Sequence, residues 1–139
     1  MAELDSLIRV RKYTVEQRQK ALAALYKREQ DLKYERDALE AQHAIEAEKA
    51  RQMDADFLSY FGAYSKRVSD QIESIDLKRK KLENQIRLAQ EQVREAFAEM
   101  KKVEIVNDRR KTEAQAELDK KESDELDEIA IDGHRRKED

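Results

Sequence analysis

Few residues in this chain could do covalent chemistry. There is no cysteine, which removes disulfides and thiolate nucleophiles, and there are only two histidines, His43 and His134. His43 falls on a helical stripe and His134 in the terminal tail, so they do not form a pair. Carboxylates are abundant, but they are interleaved with Lys and Arg at i,i+3 and i,i+4 spacing, the pattern of a solvated helix face. Neither Gly62 nor Gly133 belongs to a phosphate-binding loop. The sequence therefore predicts no catalytic residue, no cofactor and no metal site, and a chain that is not an enzyme.

The chemistry on offer is that of binding. Phe57, Phe61, Tyr64 and Val68 recur at i, i+4, i+7 and i+11, one stripe of a helix, with Tyr60 beside them. Residues 57–64 hold four of the eight aromatics in the chain. Such a stripe either plugs the end of a helical hairpin or anchors a partner. The two roles are compatible, because five large apolar residues exceed what one two-helix seam buries. The densest basic run, Lys78-Arg79-Lys80-Lys81, has no interleaved aromatics. Its surroundings, residues 65–102, hold ten bases and seven acids, which is too even a balance for a nucleic-acid site. Arg109-Arg110-Lys111 lies where an apolar seam gives out and is a better candidate for a protein contact.

The elements that position these residues follow from composition and period. The chain has 139 residues, 44% charged and 6% aromatic, without proline or tryptophan. That is too little apolar material for a core packed on several faces. It suits a long helix with one apolar stripe, the composition of a coiled coil. The net charge is −3. No run approaches the roughly 18 apolar residues of a membrane span, and the acidic start Met1-Ala2-Glu3-Leu4-Asp5 lacks an apolar signal core. A cytoplasmic address is expected.

Alternating steps of four and three from Leu4 to Tyr64 meet apolar residues at twelve of eighteen positions. The polar intruders are Arg11, Arg18, Glu29, Arg36, His43 and Glu46; the charged heads of Arg11, Arg18, Glu29 and Arg36 are expected to pass the seam toward water. From Val68 to Val103 the same steps meet ten of eleven, Arg79 being the exception. A 3.5-residue repeat predicts a left-handed supercoil. Beyond Val103 the stripe ends. If the chain bends near residue 55, residue i faces about 110 − i and Leu4 sits near Val106, where the second stripe stops. A bend at Gly62 would set Leu4 against Lys120, where no stripe exists.

The expected fold is therefore all-α: a long antiparallel two-helix coiled-coil hairpin with a C-terminal helical overhang, in a single domain over residues 1–139. Its first helix spans about 3–51, its bend about 52–56, its second helix about 57–132 and its frayed tail 133–139. Asp54 or Asp56 is the expected cap of the second helix, and Gly133 its expected end. An arm of 50 residues would be about 75 Å long. From Glu122 to Asp132 there are six acids and no base, and the larger aliphatics of the overhang are Leu118, Leu126, Ile129 and Ile131.

This layout resembles the FliJ family, a small component of the bacterial flagellar type III export apparatus. The resemblance covers nearly the whole chain. It rests on the N-terminal Leu4-x-x-Leu7-Ile8-Arg9-Val10-Arg11 arm, the mid-chain aromatic segment and the long second helix. The runs Arg94-Glu95-Ala96-Phe97-Ala98-Glu99-Met100-Lys101-Lys102-Val103-Glu104 and Glu125-Leu126-Asp127-Glu128-Ile129-Ala130 add to it. The resemblance implies an antiparallel coiled coil like the central stalk of a rotary ATPase, without ATPase activity of its own. The partners it implies are the hexameric export ATPase, the cytoplasmic part of the export-gate membrane protein, and export chaperones. It implies a place at the inner membrane through the export apparatus. Carried onto this sequence, Phe57, Tyr60, Phe61, Tyr64 and Val68 become the candidate gate-binding face. Arg9, Arg11, Arg109 and Arg110 become the candidate contact with the ATPase ring. A monomer that binds no nucleic acid is expected. The alternatives are a generic coiled-coil scaffold and a stalk protein of another type III secretion system.

Overall fold

The computed structural model describes residues 2–138, with side chains from Leu4 to Lys137; Met1 and Asp139 lie outside the described residues. Two helices account for nearly all of it: α1 (Ala2–Ala50) and α2 (Ala55–Glu138). Among the described residues there is no strand. The chain is an all-α helical hairpin whose two long helices pack against each other.

The turn is built by local hydrogen bonds. The amides of Gln52 and Met53 donate to the carbonyls of Lys49 and Ala50 at 3.2 Å each, which tightens the last turn of α1. Asp54 then caps α2. Its Oδ1 accepts from the Phe57 amide at 3.1 Å, and its carbonyl accepts from the Leu58 amide at 3.1 Å. This is the N-cap geometry in which one acid satisfies an orphan donor and also opens the helical ladder. Asp56 lies in the first turn of α2, where its charge suits the helix dipole. The helix therefore starts two residues before the expected 57.

Packing divides the chain into two compact units, where the sequence was read as one domain. One comprises residues 15–95 and holds the turn. The other comprises residues 1–14 and 96–139. A two-helix hairpin has no central core, because each layer of side chains touches only the layers next to it. That is why packing alone subdivides it.

In the turn unit, the buried residues of α2 are Val68, Ile75, Leu82, Ile86 and Ala89, all on the seven-residue beat. Among the described side chains of α1, only Val15 and Ala50 are buried to the same degree. The asymmetry follows from the sequence, since the stripe of α1 is the one interrupted by charges. Among the described residues no large side chain is sealed from water completely. Polar contacts on the seam flanks agree with this register. Arg18 donates to Gln92 at 3.5 Å, the residue that a bend near 55 assigns to it. Arg36 donates to Asp76 at 2.8 Å, and the Gln90 amide donates to the Tyr26 hydroxyl at 2.7 Å.

Charges in the seam are accommodated unequally. The Arg36 guanidinium leaves the seam to reach Asp76 and also Glu40, at 2.5 Å. The hydrogen bond to Asp76 and the charges of both acids hold its pKa above the ordinary value. So Arg36 finds acids, where the sequence suggested water. Arg79 is half-buried, and its Nε is enclosed without a hydrogen-bond partner.

In the terminal unit, Leu4, Ile8 and Arg11 are half-buried, while Met100 and Asn107 are buried. The stripe was expected to end at Val103, but it extends one further layer to Asn107, because a single Asn is tolerated in a coiled-coil seam. From Asp108 to Lys137 every residue is exposed. The helix runs through Gly133 to Glu138 rather than ending at that glycine. No glycine takes a positive φ, and Arg135, Arg136 and Lys137 in the last turn favour the helix dipole.

Candidate functional site

The first turns of α2 hold the aromatic stripe, and α1 supplies its counterpart. Phe57 and Tyr60 approach with ring centroids 6.1 Å apart and planes tilted by 41°. Phe61 and Tyr64 repeat the arrangement one turn on, at 6.1 Å and 43°. His43 of α1 lies against both members of the second pair. Its ring is 5.4 Å from Phe61 and stacks on Tyr64 at 6.2 Å, with planes only 13° apart. A hydrogen bond of 2.8 Å between His43 Nε2 and Ser65 Oγ fixes the imidazole edge. Tilted and offset-stacked rings at these distances are attractive beyond simple area burial.

The five residues of the stripe have different exposures, which separates the two roles the sequence left open. Val68 is buried at 4% exposure, so it anchors the stripe in the seam and contributes only a sliver of surface. Phe57, Phe61 and Tyr64 are half-buried. Tyr60 is 62% exposed, and its neighbour Leu58 is also largely open. The stripe thus plugs the seam with one edge and shows an aromatic edge to solvent. A cleft of about 250 Å³ opens there, lined by Gln42, Glu46, Phe57, Tyr60, Phe61 and Tyr64. Next to it is a second hollow of about 370 Å³, lined by Glu40, His43, Ser65, Val68, Ser69 and Ile72. Such a surface can seat apolar or aromatic side chains of a partner, with Glu46 and Gln42 at the rim to orient polar groups.

Sequence reasoning assigned His43 no more than a tolerated seam position. The signal for its role was available: a bend near 55 sets His43 opposite residue 67, within one turn of Tyr64 and Ser65. Glu46 carried the same signal, since it lies on the beat of α1 and a bend near 55 sets it opposite Tyr64; Gln42 lies off that beat, and only side-chain direction places it at the cleft.

The candidate basic residues all belong to the terminal unit. Arg9, Arg109 and Arg110 are exposed. Arg11 is half-buried, with Nε enclosed and without a hydrogen-bond partner. Arg109 also borders a shallow hollow of about 370 Å³ with Ile105, Asp108, Thr112 and Glu113. Among the described residues no three metal-ligating side chains converge, and no helix is long and apolar enough to cross a membrane.

The family described as flagellar FliJ protein matches residues 1–139, the entire chain. No curated protein and no solved structure matches it.

Proposed function

The chain belongs to the FliJ family of flagellar export proteins, and on that premise we propose that it links the export ATPase to the membrane export gate and assists export chaperones. The observation that carries this reading is the aromatic edge at the start of α2. Phe61 and Tyr64 are held by His43, and half-buried Phe57 packs on Tyr60, which is left open. A rigid aromatic edge of this kind is the usual anchor of a protein interface. We assign it to the cytoplasmic part of the gate protein. The exposed cations Arg9, Arg109 and Arg110, with the half-buried Arg11, are assigned to the hexameric ATPase. Each assignment uses the chemistry of one unit: apolar anchoring in the turn unit, charge in the terminal unit. The chain itself would do no catalysis, and it would sit in the cytoplasm at the inner membrane through the export apparatus.

The test uses the full chain with purified export ATPase and the purified cytoplasmic part of the gate protein. The wild-type chain should bind both. Tyr60→Ala should weaken gate binding by about tenfold or more and leave ATPase binding unchanged. Tyr60 is a cleaner probe than Phe61, because Phe61 also packs on His43 and its removal would disturb the hairpin. Paired Arg109→Glu and Arg110→Glu substitutions should do the reverse. A wild-type chain that binds neither partner would overturn the reading.

A further inference from the structure

Two faces of α2 take no part in the seam, yet they share a frame. In the turn unit, Leu77, Lys81, Asn84 and Leu88 recur at i, i+4, i+7 and i+11. In the terminal unit, Leu118, Glu122, Glu125 and Ile129 recur at the same steps. Eleven residues make three helical turns with a net rotation of about 20°, so each pair of end residues lies on one face about 16.5 Å apart. All four of those aliphatics, Leu77, Leu88, Leu118 and Ile129, are more than half exposed. Aliphatics at matched spacing on two open helix faces are the elements of a helix–helix contact.

The charges between them are opposite. The first face is flanked by Lys78 and Lys80 and carries Lys81; the second lies in the run from Glu122 to Asp132, which has six acids and no base. The order of charges also selects a direction. In an antiparallel pairing Leu77 meets Ile129, Lys81 meets Glu125, Asn84 meets Glu122 and Leu88 meets Leu118. Within the same span Lys78 meets Glu128 and Arg87 meets Asp119, outside it Asp70 meets Arg136, and no like charges are opposed. A parallel pairing would set Lys80 against Lys121 and Glu83 against Asp124. Both faces lie on one helix, Ala55–Glu138, which cannot fold back on itself without breaking. The occupant must come from another molecule.

We infer that the acidic overhang of one copy docks, antiparallel, on the Leu77–Leu88 face of a second copy. The chain then associates with itself in a concentration- and salt-dependent way, where its sequence alone suggested a monomer. Only four aliphatics carry the apolar part, so the contact is weak and depends on its charges.

The test is sedimentation equilibrium of the full chain over a roughly hundredfold concentration range, at low and at high salt. The weight-average mass should rise above the monomer mass with concentration at low salt, and fall back at high salt. Lys81→Glu should weaken association about tenfold or more. Lys81→Glu combined with Glu125→Lys should restore it. Both positions are exposed, so circular dichroism should report unchanged helicity in every variant. A mass that stays monomeric throughout overturns the inference, as does an association indifferent to Lys81→Glu or a charge swap that fails to restore it. A monomer whose Lys78–Lys81 region retains double-stranded DNA at low salt would also overturn it and assign that face to nucleic acid.

Discussion

Leu82 and Leu77 offer a controlled measurement of what holds the arms together. They are the same residue type on the same helix, five positions apart, and they differ in burial: Leu82 is 3% exposed and Leu77 is 58% exposed. Replacing Leu82 by Ala forfeits the burial of a whole side chain, about 1.5–3 kcal/mol. To this a cavity term is added, and together they give about 2–5 kcal/mol in well-packed cores. A seam only two helices wide can close around the gap from its open flanks, which favours the lower end of that range. The expected loss is about 2–3 kcal/mol. Leu77→Ala should change stability by less than about 0.5 kcal/mol, since little contact is lost and Ala is the better helix former. Urea unfolding followed by helical circular dichroism would measure both, at low protein concentration and moderate salt so that any self-association is suppressed. Equal losses in the two variants, or a larger loss for Leu77→Ala, would refute the claim that the seven-residue seam carries the stability of the turn unit.

Other perturbations test the remaining parts of the argument. Asp54→Ala should cost about 1 kcal/mol by removing the cap and should speed hydrogen exchange at the Phe57 amide, while Asp54→Asn should retain most of the protection. Arg79→Leu should raise stability by about 1 kcal/mol, because an enclosed donor without a partner is replaced by an apolar group in a seam position; a lower urea midpoint would mean that Nε finds an acceptor. Gly133→Ala should slow exchange of the amides around it and add about 0.5–1 kcal/mol of local helix stability. Nothing lies within 4 Å of the added methyl group. Tyr60→Ala should leave the thermal midpoint within a few degrees of wild type, so that its effect on gate binding reads the interface alone.

The parts of the fold that were legible in the sequence are those fixed by period. Val68, Ile75, Leu82, Ile86 and Ala89 could be named as core because a 3.5-residue beat leaves no other face for them. The turn was legible because Asp54 offers an N-cap just before the aromatic stripe, and because only a bend near 55 runs both stripes out together. Asn107 was missed, since its polarity hides a seam position that the beat alone would have assigned. Gly133 was misread as a helix end. A glycine inside a helix costs about 1 kcal/mol relative to Ala, and the three cations that follow work against a stop. At the candidate site, the spacing identified the stripe but not how its exposure is shared. That Val68 lies under the surface and Tyr60 on it depends on which edge of the stripe α1 covers, and His43 decides that through its contacts with Phe61 and Tyr64.

The layered seam of the turn unit also bears on how such a chain can change its length. Each layer is specified by its immediate neighbours and by a register counted from the turn. Inserting seven residues in α1 and seven at the facing point of α2 would preserve every existing pair and move the turn outward by about 10.5 Å. The Asp54 cap and the aromatic edge would travel with it unchanged. An insertion in one arm alone, between Arg18 and Arg36 for example, would shift one stripe against the other on the side away from the turn, parting Arg18 from Gln92 while leaving the pairs nearer the turn in place. Reach is therefore adjustable in whole heptads, but only when both arms are altered together.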